Sequence, residues 1–149
     1  MNTRILGIGL GLLALTALVI MAPIAFAETI NLKATLKASD SVPPNNSNGT
    51  GSLQATYDTA NKQLTYTVTY SGLTGNATAA HFHGPADPGK AAGVVVPAQG
   101  SVASPIKGTA TLTDAQATDL LAGKWYFNIH TEANKPGEIR GQVTKCCNE

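Results

Sequence analysis

Charge is scarce in this chain. Asp, Glu, Lys and Arg make up 13% of 149 residues, and the formal net charge is +1. No run of Lys and Arg occurs, so the electrostatic footprint of a nucleic-acid-binding protein is missing. Cysteine is scarcer still: there are two, Cys146 and Cys147, side by side near the end. A disulfide framework closes loops between distant cysteines, and a bridge between neighbours is strained, so the pair builds no framework. Its remaining readings are a frayed tail with exposed thiols, an intermolecular disulfide through Cys146 or Cys147, or a soft-metal tail site. Nucleophile elbows, phosphate-cradling glycine loops and Cys–His constellations are absent as well.

Long apolar runs are limited to one. Met1 to Arg4 is a short, positively charged start, Ile5 to Ala22 is apolar, and Pro23 breaks the run. Ala25-Phe26-Ala27 then offers a small-x-small cleavage site. This pattern predicts a signal peptide over 1–27, with the exported chain starting at Glu28 in a periplasmic or extracellular setting. The rival is an uncleaved anchor, since the run sits at the spanning threshold of roughly 20 residues. No second apolar stretch follows, so no membrane span is expected after processing. About 120 residues remain, which suits one domain with a single core; we place it at 28–145, with a tail at 146–149.

What is present is alternation. Ile30 to Lys37 alternates apolar with polar, as does Leu53 to Tyr57. Leu64, Tyr66, Val68 and Tyr70 alternate with Thr65, Thr67 and Thr69 in the cleanest strand pattern of the chain. Asp58 to Lys62 reads as the turn of a hairpin. Ser39 to Gly51 and Gly84 to Gly93 read as loops, the second exposed. Thr78–His83, Val94–Val96, Lys107–Thr111, Trp125–His130 and Ile139–Val143 are further strand candidates, with Val94–Val96 buried and Pro136-Gly137 as a tight turn. One segment changes period. Thr113 and Gln116 form a capping box, Ala117, Leu120 and Leu121 an apolar stripe, and Gly123 a C-terminal stop, giving one helix of about three turns near 113–122. The expected fold is mainly β: an antiparallel β-sandwich-like single domain with one short helix in its C-terminal third.

The three histidines fall in two strand-like motifs, Ala80-His81-Phe82-His83-Gly84-Pro85 and Tyr126-Phe127-Asn128-Ile129-His130-Thr131. Strand side chains alternate, so His81 and His83 share a face. Phe82 on one strand, and Trp125, Phe127 and Ile129 on the other, are the better core residues. Both histidine sets then turn to the opposite, solvent-accessible face. If the strands are neighbours, His81, His83 and His130 converge. Three imidazoles suit a divalent ion such as one Cu or Zn, with a coordination position left open. The competing reading is a hydrogen-bonded clasp between strands. Asn128, Thr131, Glu138 and Arg140 are candidate supporting or binding residues. Glu132 or Glu138 beside a metal-bound water would give a general base, although a surface ion pair is the commoner use of such residues.

These motifs, with Leu112-Thr113-Asp114, Leu120-Leu121-Ala122-Gly123 and Pro136-Gly137-Glu138-Ile139-Arg140-Gly141-Gln142, resemble the CHRD domain, named after repeats in chordin and also found as stand-alone secreted microbial proteins. Val42-Pro43-Pro44 and Gly72-Leu73 fit the same pattern. The resemblance implies an extracytoplasmic β-sandwich-like module and does not itself carry chordin's growth-factor binding. His-Phe-His-Gly also resembles copper–zinc superoxide dismutase, but three histidines are too few for its dinuclear centre. Three readings follow. The first is a secreted binding module for a protein, a matrix component or a metal, not an enzyme. The others are a small three-histidine metalloenzyme and a ligand-free structural component of the cell envelope or matrix.

Overall fold

A computed structural model describes residues 27–146. All but the last residue of the expected signal peptide lies outside the described residues, as does Cys147. Among the described residues no helix is long and apolar enough to cross a membrane.

The alternating segments all become strands. β1 (Thr29–Lys37), β2 (Thr50–Asp58) and β3 (Gln63–Ser71) form a meander. The β2–β3 pairing runs unbroken from Thr50↔Ser71 to Asp58↔Gln63. Its turn is set by Asp58, whose carboxylate accepts the Ala60 and Asn61 N–H groups at 2.8 and 3.2 Å, the usual Asx contribution to a tight reversal. β4 (Ala77–His83), β5 (Val94–Pro97), β6 (Ile106–Thr111), β7 (Tyr126–Thr131), β8 (Ile139–Gln142) and a short β9 (Thr144–Lys145) complete the set. The strand order is β5-β4-β7-β8-β1-β2-β3-β6, antiparallel throughout, with β9 also on β1.

This sheet folds over on itself. β8 pairs with β7 along its length but meets β1 only at Arg140↔Lys37 before β9 rejoins β1 at Thr144↔Lys33. Gly141 lies in the crossing, where an added Cβ would collide with the Thr35 carbonyl. The bend brings β3 over β4 and β7. Tyr66 packs edge-on against Phe82 (centroids 5.0 Å), and Phe82 edge-on against Phe127 (4.8 Å), a favoured aromatic geometry. Leu64, Tyr66, Val68, Phe82, Trp125, Phe127 and Ile129 are all buried, and Thr65 and Thr69 are exposed, as the alternation requires.

The helix, α1 (Asp114–Leu121), has its predicted start: Thr113 Oγ1 accepts the Gln116 N–H, and Gln116 Oε1 accepts the Thr113 N–H. It is eight residues long, about two turns rather than three, because Ala122 already caps it and Gly123 turns left-handed at φ 73°. Leu120 and Ala117 enter the core. Gln116 reaches the Val95 carbonyl, so the helix spans the gap between β6 and β5, the two ends of the sheet. Two expectations are corrected here. Val94 is 51% exposed, because among the described residues β5 pairs with β4 alone. The 84–93 loop is partly covered, with Ala86 buried and its N–H donated to the Lys124 carbonyl.

Candidate functional site

β4 and β7 are direct neighbours, with His81 opposite Asn128 and His83 opposite Tyr126. That register, with the inward set of Phe82, Phe127 and Ile129, puts the three histidines on one outer face. One ring nitrogen from each of His81, His83 and His130 lies within 4.8 Å of the others. His81 Nδ1 and His130 Nε2 are 3.2 Å apart.

The rings are oriented by backbone. His83 Nδ1 stands 3.0 Å from the Ala92 carbonyl, and His130 Nδ1 2.8 Å from the Lys135 carbonyl. A carbonyl only accepts, so each Nδ1 carries a proton, and in the neutral tautomer this leaves Nε2 as the bare nitrogen. His83 Nε2 is buried and has no hydrogen-bond partner among the described residues. Burial lowers the His81 pKa, with His130 and then His83 adding to it. The His83 pKa is lowered too, by burial first, opposed by the Ala92 hydrogen bond and assisted by His130 and Arg140. Both shifts favour the neutral ring, the form that ligates.

The face is less open than the alternation suggests. His83 is 8% exposed, and Tyr126 and Asn128 are buried with it. Tyr126 is the residue that sequence reasoning missed. Its ring stacks on His83 (centroids 4.8 Å, 1° between planes), and its hydroxyl accepts the Ala92 N–H at 3.1 Å. The loop carrying Ala92 is thereby pinned over the strand. Nothing in the local pattern of Tyr126 separates this role from an ordinary strand tyrosine.

Of the four supporting candidates, Asn128 and Arg140 lie on the histidine face. Asn128 stands between His81 on β4 and Arg140 on β8. Its amide makes no bond to an imidazole; Nδ2 donates to the Pro136 carbonyl at 3.0 Å. It fixes the turn whose Lys135 carbonyl holds His130, so it orients that ring at one remove. Gly137 is required there, since a Cβ would strike the Asn128 amide and φ is 135°.

Thr131 and Glu138 belong to a separate cluster. Glu138 is 0% exposed. Its carboxylate accepts from Ser47 Oγ, from the Thr74 N–H and Oγ1 (2.7 Å each) and from Thr131 Oγ1 (2.6 Å). Burial alone would raise its pKa, but the hydrogen bonds from Ser47, Thr131 and Thr74 outweigh it and hold the group at about 2. The Glu138 carbonyl also takes the Ser41 hydroxyl and the Asn45 amide. The cluster bolts the 39–49 loop to the β7–β8 turn. Its hydroxyls come from segments far apart in sequence, so no local signal announces it. The expectation of a surface ion pair at Glu138 is overturned; that pair exists instead between exposed Glu132 and Lys135 at 2.8 Å. No carboxylate joins the histidine trio among the described residues, so neither Glu132 nor Glu138 is placed as a base there.

Arg140 is 2% exposed and lies on the other flank of Tyr126, with Cζ 3.5 Å from the ring centroid. Its pKa is lowered by burial, against the opposing pull of Tyr126 and Asp40. It is thus a stacking neighbour of the site and not part of the trio.

The family model of the CHRD domain matches residues 32–143, which spans both histidine strands, the helix and the β7–β8 turn. No curated protein and no solved structure matches the chain.

Proposed function

We propose, from the premise that the chain belongs to the CHRD domain family, that it is an exported binding module whose histidine face holds one divalent d-block cation. The family is one of binding modules, and exported placement rests on the leader read over residues 1–27. His81, His83 and His130 are the ligands. The observation that carries the reading is the pair of Nδ1–H groups fixed on the Ala92 and Lys135 carbonyls. They leave two Nε2 lone pairs beside His81, one of them buried and otherwise unpartnered. Metal-ligating histidines characteristically donate their second nitrogen in this way.

Two imidazole nitrogens on one tetrahedral zinc ion stand roughly 3.3 Å apart; His81 Nδ1 and His130 Nε2 are at 3.2 Å, a spacing that a hydrogen bond between the two rings gives equally, and the three nitrogens lie within 4.8 Å of one another. Three nitrogens leave a coordination position for water or a ligand's donor atom. Zn²⁺ and Cu²⁺ both suit an all-imidazole set.

Metal analysis of the purified exported protein after loading with Zn²⁺ or Cu²⁺ and desalting tests this. One ion per chain is expected, lost in His83→Gln and in His130→Ala. Equal metal content in those variants and the parent would overturn the assignment.

A further inference from the structure

Arg140 is a buried cation with no carboxylate in contact; Asp40 acts on it only from a distance. Among the described residues no carboxylate lies within 4.0 Å of its guanidinium, and its Nη2 has no hydrogen-bond partner. The Tyr126 ring offsets part of the desolvation cost through a cation–π contact. A guanidinium this deep is ordinarily paired with an anion and hydrogen-bonded to it. Arg140 borders a cleft of about 370 Å³ shared with Ser39, Asp40, Val42, Pro88 and Gln142, within the usual range for a small-molecule site.

Gln142 adds a second unmet demand. Its Nε2 donates to the Ala86 and Gly123 carbonyls at 2.8 Å each. Those acceptors fix the amide orientation, and Oε1 is left buried without a donor. Arg140 and Gln142 both line this cleft, and each keeps one buried polar atom, Nη2 and Oε1, without a partner among the described residues. Exposed Asp40 shares it without closing an ion pair on Arg140.

We propose that this cleft is a binding site for a small carboxylate that also carries a hydrogen-bond donor, the carboxylate on Arg140 and the donor on Gln142. The planar guanidinium matches a carboxylate. The Asp40 charge opposes a phosphate dianion more strongly than a monoanion. Two sources share the required chemistry: a free hydroxy acid, and the terminal carboxylate of a peptide with its own N–H as donor. The site is separate from the histidine trio, with the Tyr126 ring between them.

Titration of the metal-free protein, followed by ¹H–¹⁵N NMR at the Arg140 Nε–H and the Gln142 amide, tests the assignment. Glycolate stands for the free acid and N-acetylglycine for the peptide end. Saturable shifts with at least one of them support the site, and which one is tighter identifies the source. Acetate, lacking the donor, binds more weakly, and inorganic phosphate gives no saturable shift. Arg140→Gln weakens binding at least tenfold. Asp40→Asn, an exposed change that spares the fold, tightens it severalfold. His130→Ala leaves it unchanged, which keeps this test independent of the metal reading. Absence of saturation with both probes, or glycolate affinity unmoved by Asp40→Asn, overturns the proposal.

Discussion

The two outer faces of this folded sheet obey the same alternation and end in opposite conditions. On β1, β2 and β3 the outward residues form rows such as Thr35–Ser52–Thr69 and Lys33–Gln54–Thr67, and apart from half-buried Thr67 they are exposed. On β4, β7 and β8 the outward residues include His83, Tyr126, Asn128 and Arg140, and those four are buried. Period two decides which side of a sheet a residue occupies. What lies over that side is decided by segments distant in sequence. The 84–93 loop is tied down by His83 and Tyr126 through Ala92. The turn after β7 is tied down by His130 and Asn128. A polar face covered in this way becomes a set of fixed ring nitrogens. A polar face left uncovered stays a solvated surface.

The largest expected break in this contrast is Tyr126→Ala, which removes the ring between His83 and Arg140. It should cost about 3 kcal/mol or more, as large aromatic truncations do. Thr65→Ala on the exposed face should stay within about 0.5 kcal/mol. Urea unfolding of the two variants checks the difference, and similar midpoints would show that the covered face is not a packed layer.

Next in size is the Glu138 cluster. Thr131→Val removes one hydrogen bond to a buried carboxylate and should cost roughly 1.5–3 kcal/mol. The pH dependence follows from the same group. Its pKa is about 2 in the fold against an ordinary 4.5, so the unfolded chain binds the proton more readily. The contribution is complete above about pH 4.5 and is lost as pH falls toward 2. Thermal melts between these values should show a shallower acid limb in Glu138→Gln than in the parent.

The histidine face adds a smaller effect at higher pH. His81 and His83 have pKa values below the ordinary 6.5. Their neutral forms favour the fold, so stability holds above pH 6.5 and erodes as pH falls below it. Affinity for Zn²⁺ should fall over the same range, because each ligand must shed its proton. Zinc-dependent melting shifts at pH 7.5 and 5.5 measure this, and equal shifts at the two pH values would count against imidazole ligation. The smallest effect is expected from Lys33→Ala: no change in metal uptake and a melting temperature within error of the parent.

Much of the architecture was legible because it is local. Leu64, Tyr66 and Val68 announce their strand by spacing, Thr113 and Gln116 announce the helix start by chemistry, and His81-Phe82-His83 fixes its own faces. The pairing of β4 with β7 was legible only as a condition for convergence, since strand order depends on contacts far apart in the chain. The burial of Glu138 and Arg140 was not legible at all. Ser47, Thr74 and Thr131 meet one carboxylate from three separate segments, and Glu138 reads as a surface ion-pair residue until those segments are placed.

The sheet does not close, and its two ends differ in how they meet other chains. Among the described residues β6 pairs only with β3, which leaves one ladder of amides open to an approaching strand, and such ladders template edge-to-edge association. Pro105 sits at its start and Lys107 within it, both recognised deterrents to strand addition. β5 presents exposed Val94 but is only four residues long and ends in Pro97. Its Val95 carbonyl is already taken by Gln116. Growth of a filament by strand stacking is therefore discouraged at either end, by proline and charge at one and by brevity and a side-chain stopper at the other.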